Sequence, residues 1–420
     1  MPQISRISDR KVEVSDDESP ATTVAFKRVD ERTYAVVYDE RNGSIVWSMV
    51  DYSIFLSGPR LRCERSTVEG ALLAIAAYRN FLDRHARIND LDTPYDFHES
   101  TDELLAEFRE AEFERVFSRA NSNHEEFAAK RTVNLKLVHI YQFLNWYKYS
   151  TGRLEFFGGE HGPVASTLSE SDVQSRKATT GGESGDSRYP LLYKRVGAGS
   201  RLGRGYTAND DDKAALRDYF QRNFTSYVGL RNILLMEVAD RVGWRRGSIN
   251  SLRCDQFNED ALGRMSSRGL WCVPDRQKRG YKDGFYVPPD LANQIASFIH
   301  DTRETLVDEM GWSALSKSGP VFMSARDGGA LTDKTLSKIF GKAFAAIGAP
   351  KRAGLHSFRR KFTDDSIGAE TRARIALGLD TSAESVSAAV SADLGQHNPE
   401  SIRPYISSNQ TRLASRKRNP

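Results

Sequence analysis

A stretch rich in glycine, serine and threonine interrupts the apolar pattern of this 420-residue chain between about residues 155 and 204. Its centre reads Thr179-Thr-Gly-Gly-Glu-Ser-Gly-Asp186, and no apolar periodicity survives there. A segment of this composition cannot bury enough apolar surface to fold alone, and such segments commonly connect domains. The chain is also long enough for two domains. We therefore predict two folded regions joined by a flexible interdomain linker over 155–204.

The first 65 residues carry a β-hairpin signal behind a polar N-terminal tail. The runs Thr33–Tyr38 and Ser44–Trp47 are rich in β-forming residues, and they flank Asn42-Gly43. Asn-Gly between two such runs is the strongest short-range indication of a hairpin. The sequence leaves two roles open for it: a structural hairpin, or an arm that touches DNA or a partner subunit.

Residues 66–154 show three helical patterns, which predict a small helical bundle. Ser66 with Glu69, and Ser100 with Glu103, have the spacing of capping boxes at helix starts. A third helix is expected to begin near Thr132. Basic residues line the flank of this third helix; either they form an ordinary solvated face or they contact DNA. They are Arg131, Lys136 and Lys148.

The region after the linker, 205–420, carries chemistry-bearing residues near its end. His356 and Arg359 are three positions apart, so on a helix they share one face. Further on, a short helical pattern ends at Tyr405. An imidazole, a guanidinium and a phenol brought together can supply a proton carrier, a positive charge and a nucleophile, which are the needs of phosphoryl transfer.

These motifs resemble the signature of the tyrosine recombinases, the phage-integrase family. The chain reads His356-Ser-Phe-Arg359 and then Leu394-Gly-Gln-His-Asn-Pro-Glu-Ser-Ile-Arg-Pro-Tyr405. An earlier segment, Gly243-Trp-Arg245-Arg-Gly-Ser-Ile-Asn-Ser-Leu252, is similar to the family's Gly-Leu-Arg-x-x-Glu-Leu-x-x-Leu. The resemblance implies that Arg245, Lys278, His356 and Arg359 are catalytic residues and that Tyr405 is the nucleophile. Lys282 is the substitute for Lys278 in the hairpin between the β-type runs 270–273 and 285–288.

The chain departs from the family pattern at three places. Ser248 stands where the family usually has an acidic residue. Gln396 occupies the usual histidine or tryptophan position and His397 lies one residue beyond it, so either side chain can fill that catalytic place. The segment between Arg359 and Leu394 is longer than is typical of the family, and its surplus around 371–391 predicts an inserted helix or loop.

The implied fold is mainly α with a small antiparallel β-sheet. It comprises a helical core-binding (SAM-like) domain over 66–154 and a mixed α+β catalytic domain over 205–420, which ends in a basic C-terminal tail. The resemblance is loose over the first of these domains. It does not extend to the N-terminal hairpin or to the linker.

The implied function is site-specific DNA recombination through a 3′-phosphotyrosine intermediate, without cofactor or metal. The expected partners are double-stranded DNA at recombination sites and further copies of the chain, as a tetramer on DNA. Two alternatives stay open: a nicking and resealing enzyme resembling type IB topoisomerases, and a DNA-binding protein of the same fold that has lost catalysis. A net charge of +4 gives only a weak sign of nucleic acid.

The sequence also bears on the compartment. The three cysteines have no disulfide or metal spacing, which favours a reducing environment. No apolar run has the length of a membrane span, and the chain start lacks a signal-peptide pattern. We therefore expect a cytoplasmic protein, associated with the nucleoid when it is on DNA, and no membrane partner.

Overall fold

A computed structural model describes residues 22–29, 32–40, 42–91, 95–117, 123–158, 162–175, 187–194, 205–277, 283–312, 319–395, 402 and 405–406. The chain divides into two compact units, Met1–Ala198 and Gly199–Pro420. In its described part, each unit is mainly helical and holds one two-stranded antiparallel sheet. The predicted fold class, mainly α with a small antiparallel β component, is therefore confirmed. None of the described helices has the length and apolar character needed to cross a membrane.

The first unit packs a β-hairpin and a set of helices around one apolar core. Helices α2, α3 and α4 bury the stripes that their periodicity predicts, including Leu72, Leu105 and Leu137. Helix α4 begins at Asn123 and not near Thr132. The described elements are β1 (Thr22–Val29), β2 (Arg32–Asp39), α1 (Trp47–Ser57), α2 (Arg65–Ile88), a 3-10 helix (Phe97–Glu99), α3 (Asp102–Phe117), α4 (Asn123–Thr151) and α5 (Glu170–Ser175).

The Asn42-Gly43 turn does not join two strands, so the predicted position of the hairpin is wrong. Strand β2 pairs instead with β1, which precedes it. After Gly43, whose φ is +68°, the chain makes a single bridge between Ile45 and Tyr38, and Trp47 already begins α1. The Asn-Gly signal therefore marks a real reversal of the chain, but the run that follows it is taken into a helix.

The predicted flexible linker is wrong for its described residues, which are 155–158, 162–175 and 187–194. Phe157 and Val164 form a bridge, and both are fully buried. Tyr189 and Leu192 pack into the same core as the helices. These apolar residues are too widely spaced to show a period, and the polar residues between them conceal their burial. Residues 159–161, 176–186 and 195–204 lie outside the described part.

The second unit is built around α7, whose residues 231–240 are all buried. Helices α6 and α13 pack against α7, and the π-helix Phe298–Arg303 also contacts it. The described elements are α6 (Asp210–Asn223), α7 (Ser226–Arg241), α8 (Arg246–Ile249), a 3-10 helix (Cys254–Phe257), α9 (Glu259–Gly263), β3 (Leu270–Cys272), β4 (Phe285–Val287), α10 (Pro289–Ser297), the π-helix, α11 (Glu304–Glu309), α12 (Asp333–Ala346), α13 (His356–Leu377) and α14 (Ala383–Asp393).

The surplus residues around 371–391 are largely helical. Helix α13 runs for 22 residues and ends at Gly378, whose φ of +65° is the left-handed geometry of a C-cap. Helix α14 then begins after Ser382, whose side chain accepts a hydrogen bond from the Ser385 amide. Both helices contribute to a small apolar cluster with the last described residues: Ile367, Val386, Val390, Leu394, Ile402 and Ile406.

Candidate active site

A break in the helical path at Gly243 sets the position of Arg245. Helix α7 ends at Arg241, and Gly243 takes a φ of +70°, which is accessible to glycine at little cost. Arg245 is the N-cap residue of α8 in extended geometry, and its side chain is half-buried. The turn thus ends one buried helix and begins a second short one with Arg245 at the junction.

Two further basic candidates, His356 and Arg359, lie at the start of helix α13. His356 is its first residue, and Arg359 follows one turn later with only 4% of its surface exposed. The Arg359 guanidinium donates hydrogen bonds to the backbone carbonyls of Gly243 and Leu394, the latter at 3.2 Å. Because a guanidinium has five N–H donors, three of them are not used in these two hydrogen bonds.

The electrostatics of Arg359 favour an anion at this place. Burial, together with the charge of Arg245, lowers the pKa of Arg359 to about 9, while Tyr405 acts in the opposite direction. Arg359 therefore remains protonated at neutral pH. Both of its hydrogen bonds go to carbonyls, so no carboxylate among the described residues offsets its charge through them. Because a buried cation is costly without a counter-charge, a bound phosphate would stabilise this arrangement.

His356 is neutral at physiological pH. Its pKa is lowered to about 4, first by burial and then by the positive charges around it. Those charges belong to Arg360, Arg359, Arg245 and Arg246. More than a third of its surface stays exposed, so a substrate can reach the ring. A neutral imidazole can accept a proton or a hydrogen bond.

The ionised form of Tyr405 would raise the pKa of Arg359. The phenol ring is half-buried and packs against the apolar cluster formed by α13, α14 and the last described residues. Arg359 also bonds the carbonyl of Leu394, the C-cap residue of α14. The second unit therefore brings together Arg245, His356, Arg359 and Tyr405, which are 160 positions apart at most in the sequence.

The remaining catalytic candidates, Lys278, Gln396 and His397, lie outside the described residues, as does the alternative Lys282. The described flanks of the lysine segment do form the expected antiparallel pair, β3 with β4. The side-chain amide of Gln277 donates a hydrogen bond of 2.7 Å to the backbone carbonyl of Asp283, and this bond closes the base of the loop. The roles of these residues stay predictions.

Ser248, where the family has a carboxylate, is buried in α8. Its carbonyl accepts a hydrogen bond of 2.9 Å from the hydroxyl of Ser251. Arg359 instead donates its hydrogen bonds to the main-chain carbonyls of Gly243 and Leu394.

The three basic residues singled out in the first unit have different surroundings. Arg131 is exposed on α4. Lys136 forms an ion pair with Glu112, which is 5% exposed and also binds Arg115. Lys148 donates a hydrogen bond of 2.8 Å to the carbonyl of Phe157. The exposed position of Arg131 makes it accessible to a nucleic acid.

Sequence reasoning missed a basic row on α12. Lys334, Lys338 and Lys342 are four positions apart and exposed, so they line one side of the helix. Asp333 is the sole acidic residue of this helix. The spacing of these lysines can be seen in the sequence. The three side chains form a surface suited to a phosphate backbone.

Comparison with protein-family models gives no match, and comparison with curated protein sequences gives none either. Among solved structures, the chain is similar to the XerH site-specific recombinase bound to palindromic difH substrate in a post-cleavage complex. That similarity has 14% identity and a TM-score of 0.48, over 84% of this chain and 79% of the other. The similarity to the pre-cleavage XerH complex has 14% identity and a TM-score of 0.47, over 81% of this chain and 76% of the other. The similarity to the XerA recombinase has 11% identity and a TM-score of 0.34, over 89% of this chain and 98% of the other.

Proposed function

We propose that this chain is a site-specific DNA recombinase that cleaves and rejoins strands through a 3′-phosphotyrosine intermediate. The observation that carries the proposal is the neighbourhood of Arg359. There, a buried guanidinium donates hydrogen bonds to the carbonyls of Gly243 and Leu394 one turn from His356, and Arg245 lowers its pKa whereas the ionised form of Tyr405 raises it. The sequence motifs predict this combination, which would join an anion site to a nucleophile.

Arg245 and Arg359 would bind the non-bridging oxygens of the phosphate to be cleaved. Negative charge grows on these oxygens in the transition state of in-line attack. Guanidiniums are planar, permanently charged and able to donate two hydrogen bonds to one phosphate. A positioned donor of this kind contributes on the order of 100-fold or more to the rate. The carbonyls of Gly243 and Leu394 hold Arg359 in place before DNA arrives.

Tyr405 would attack the phosphorus, which requires loss of its phenolic proton. His356 is neutral, so it can accept a proton or a hydrogen bond in this step. Lys278 would protonate the departing 5′ oxygen as a general acid. The third histidine or tryptophan position would be filled by Gln396 or His397.

The products of cleavage would be a phosphotyrosine bond at the 3′ side and a free 5′ hydroxyl. The energy of the broken phosphodiester is kept in the phosphotyrosine, so a hydroxyl of a second strand can reverse the step without ATP. Exchange between two DNA sites then needs several copies of the chain, and we propose a tetramer on DNA. The exposed lysines of α12 support binding of a duplex, since sequence-independent affinity comes mainly from phosphate contacts.

The experiment that tests this function traps the covalent intermediate. Purified protein is mixed with nicked duplexes from the DNA that surrounds its gene, and complexes that survive SDS are counted for wild type and Tyr405→Phe. We expect such complexes for wild type only, with the nucleotide adduct on Tyr405. If the wild type binds these duplexes but traps none of them, the proposal is wrong and a non-catalytic DNA-binding protein is the better description.

A topoisomerase-like enzyme is the second candidate, because it would use the same cleavage chemistry. The two reactions differ in what happens after cleavage. Relaxation of supercoiled plasmid without joining of two sites would favour the topoisomerase. Exchange of flanking sequences between two labelled duplexes would favour recombination.

A further inference from the structure

Two arginines next to the candidate active site share one carboxylate. Asp333, on the first turn of α12, accepts a contact of 2.5 Å from the guanidinium of Arg276. Its other oxygen lies 3.9 Å from the guanidinium of Arg246. Arg246 also donates a hydrogen bond of 2.5 Å to the hydroxyl of Ser337, one turn further along α12. Two positive charges against one negative charge leave the group with a net positive charge.

This cluster borders the site that Arg245 and His356 help to form. Arg246 directly follows Arg245, and its charge contributes to the lowered pKa of His356. The guanidinium of Arg276 lies so close to Gly247 that a Cβ there would be 3.0 Å from it. The backbone amide of Arg276 is fixed by a hydrogen bond of 2.9 Å to the hydroxyl of Ser251. Both arginines are therefore anchored on the turn that presents Arg245.

The two side chains are placed to meet solvent and not to support the core. Arg246 is 55% exposed and Arg276 is 60% exposed, whereas Arg359 is 4% exposed. Ion pairs at such exposed positions contribute little to folding, so they can open at low cost. A phosphate offers a guanidinium the same planar, bidentate recognition as a carboxylate. DNA can thus replace Asp333 as the partner of these arginines.

We propose that Arg246 and Arg276 bind DNA phosphates next to the one that is cleaved, and that Asp333 pairs with both arginines and competes with DNA for them until DNA displaces it. The proposal rests on the proposed function, since it assumes that a DNA strand crosses the site of Arg359. It adds a phosphate-binding pair that the recombinase motifs do not contain. It also gives Asp333 the role of a placeholder that weakens DNA binding.

The test measures the dissociation constant for a short nicked duplex of mixed sequence over a series of salt concentrations. Wild type is compared with the double variant Arg246→Gln/Arg276→Gln. Each phosphate contact contributes about 0.9 to the slope of log affinity against log salt. We expect the double variant to lower the magnitude of the slope by at least about 0.9. Arg246→Lys/Arg276→Lys keeps the charges and should restore most of the slope.

Asp333→Asn tests the placeholder role in the same assay. Without the competing carboxylate, we expect binding at low salt to tighten by up to about fivefold, the upper end for an exposed ion pair. Weaker binding by Asp333→Asn would contradict this role and would show that the carboxylate is needed to position the arginines.

The matched control is Arg222→Gln. Arg222 is 76% exposed and pairs with Asp218 on α6, so this variant also removes an exposed arginine–carboxylate pair. Arg222 lies just before the start of α7, and Gly243 follows the end of that helix, about 24 Å away along its axis. An unchanged slope in the arginine double variant would overturn the inference while leaving the proposed function intact. A wild type that does not bind DNA would instead remove the proposed function.

Discussion

The guanidinium of Arg359 donates a hydrogen bond to the backbone carbonyl of Gly243, two residues before Arg245. This bond connects the two candidate catalytic arginines through the main chain, although they are far apart in sequence. It also joins the end of α7 to the start of α13, so a change in the turn at Gly243 displaces both charges. The turn is as much a part of the candidate site as the side chains are.

Gly243→Ala is expected to destabilise the fold and to impair cleavage. An added Cβ would lie 2.2 Å from the ring of Phe362, and the φ of +70° would be strained for alanine. Strain and overpacking together should cost about 2–4 kcal/mol in the free energy of unfolding. Urea unfolding measures this cost.

Gly341→Ala on α12 is the control for the glycine prediction, because no described atom outside the adjoining residues and backbone of its own helix lies within 4 Å of its added Cβ. At a helical position it should leave stability unchanged or raise it by up to about 1 kcal/mol. Adding Phe362→Leu to Gly243→Ala should recover part of the loss. If Gly243→Ala unfolds like wild type, the packing of Phe362 against this turn is wrong.

Arg359→Lys is expected to reduce formation of the covalent complex by about 100-fold or more, while DNA affinity changes much less. Lysine keeps the charge, but it cannot bond two carbonyls and a phosphate at once with a planar fork. Trapping on a nicked duplex measures the effect. Arg374→Lys is a matched control on the same helix, about 22 Å away and paired with Glu370. Equal losses in both variants would show that the effect is not specific to the site.

The relation between His356 and Arg359 was predictable because its geometry is local. His356 and Arg359 are one helical turn apart, and a helix there brings them to one face wherever the rest of the chain goes. The bonds from Arg359 to Gly243 and Leu394 were not predictable, since main-chain carbonyls leave no mark in a sequence. The arginine pair at Asp333 was missed for a related reason, because it depends on how α8 and α12 pack.

The errors in the first unit have a different physical origin. Phe157 and Val164 are buried, but glycines and polar residues surround them in the sequence, so neither a helical nor a strand period appears. Asn42-Gly43 does reverse the chain, yet the pairing of β2 was decided by β1, which the sequence pattern did not single out. A polar composition correctly predicts disorder only where the isolated apolar residues of the segment do not pack into a core.

Asp240→Ala is expected to cost about 1–2 kcal/mol of folding stability, because it removes charge-assisted contacts at a buried position while Lys213 and Lys361 keep other carboxylate partners. Asp240 is 8% exposed on α7, and its carboxylate binds Lys213 at 2.7 Å and Lys361 at 3.6 Å. Lys361 lies two residues after Arg359, so the network also ties α13 to α7. Urea unfolding should separate this variant from Asp218→Ala, which breaks an exposed pair with Arg222 and should cost less than about 0.5 kcal/mol. Similar losses would contradict the assigned role of the network.

The low pKa of His356 predicts a pH dependence of stability. Between pH 6.5 and about 4, the unfolded chain binds a proton at this histidine while the folded protein does not. Stability from the neutral ring is therefore complete above pH 6.5 and is lost as the pH falls towards 4. Because the ring is partly exposed, we expect a loss on the order of 1 kcal/mol. The free energy of unfolding is measured with urea at pH 7 and pH 5. The difference between the two values should be smaller for His356→Gln than for wild type. The control His300→Gln, at an exposed position, should match wild type. Identical pH dependence in His356→Gln and wild type would mean that burial and the neighbouring arginines do not hold this ring neutral.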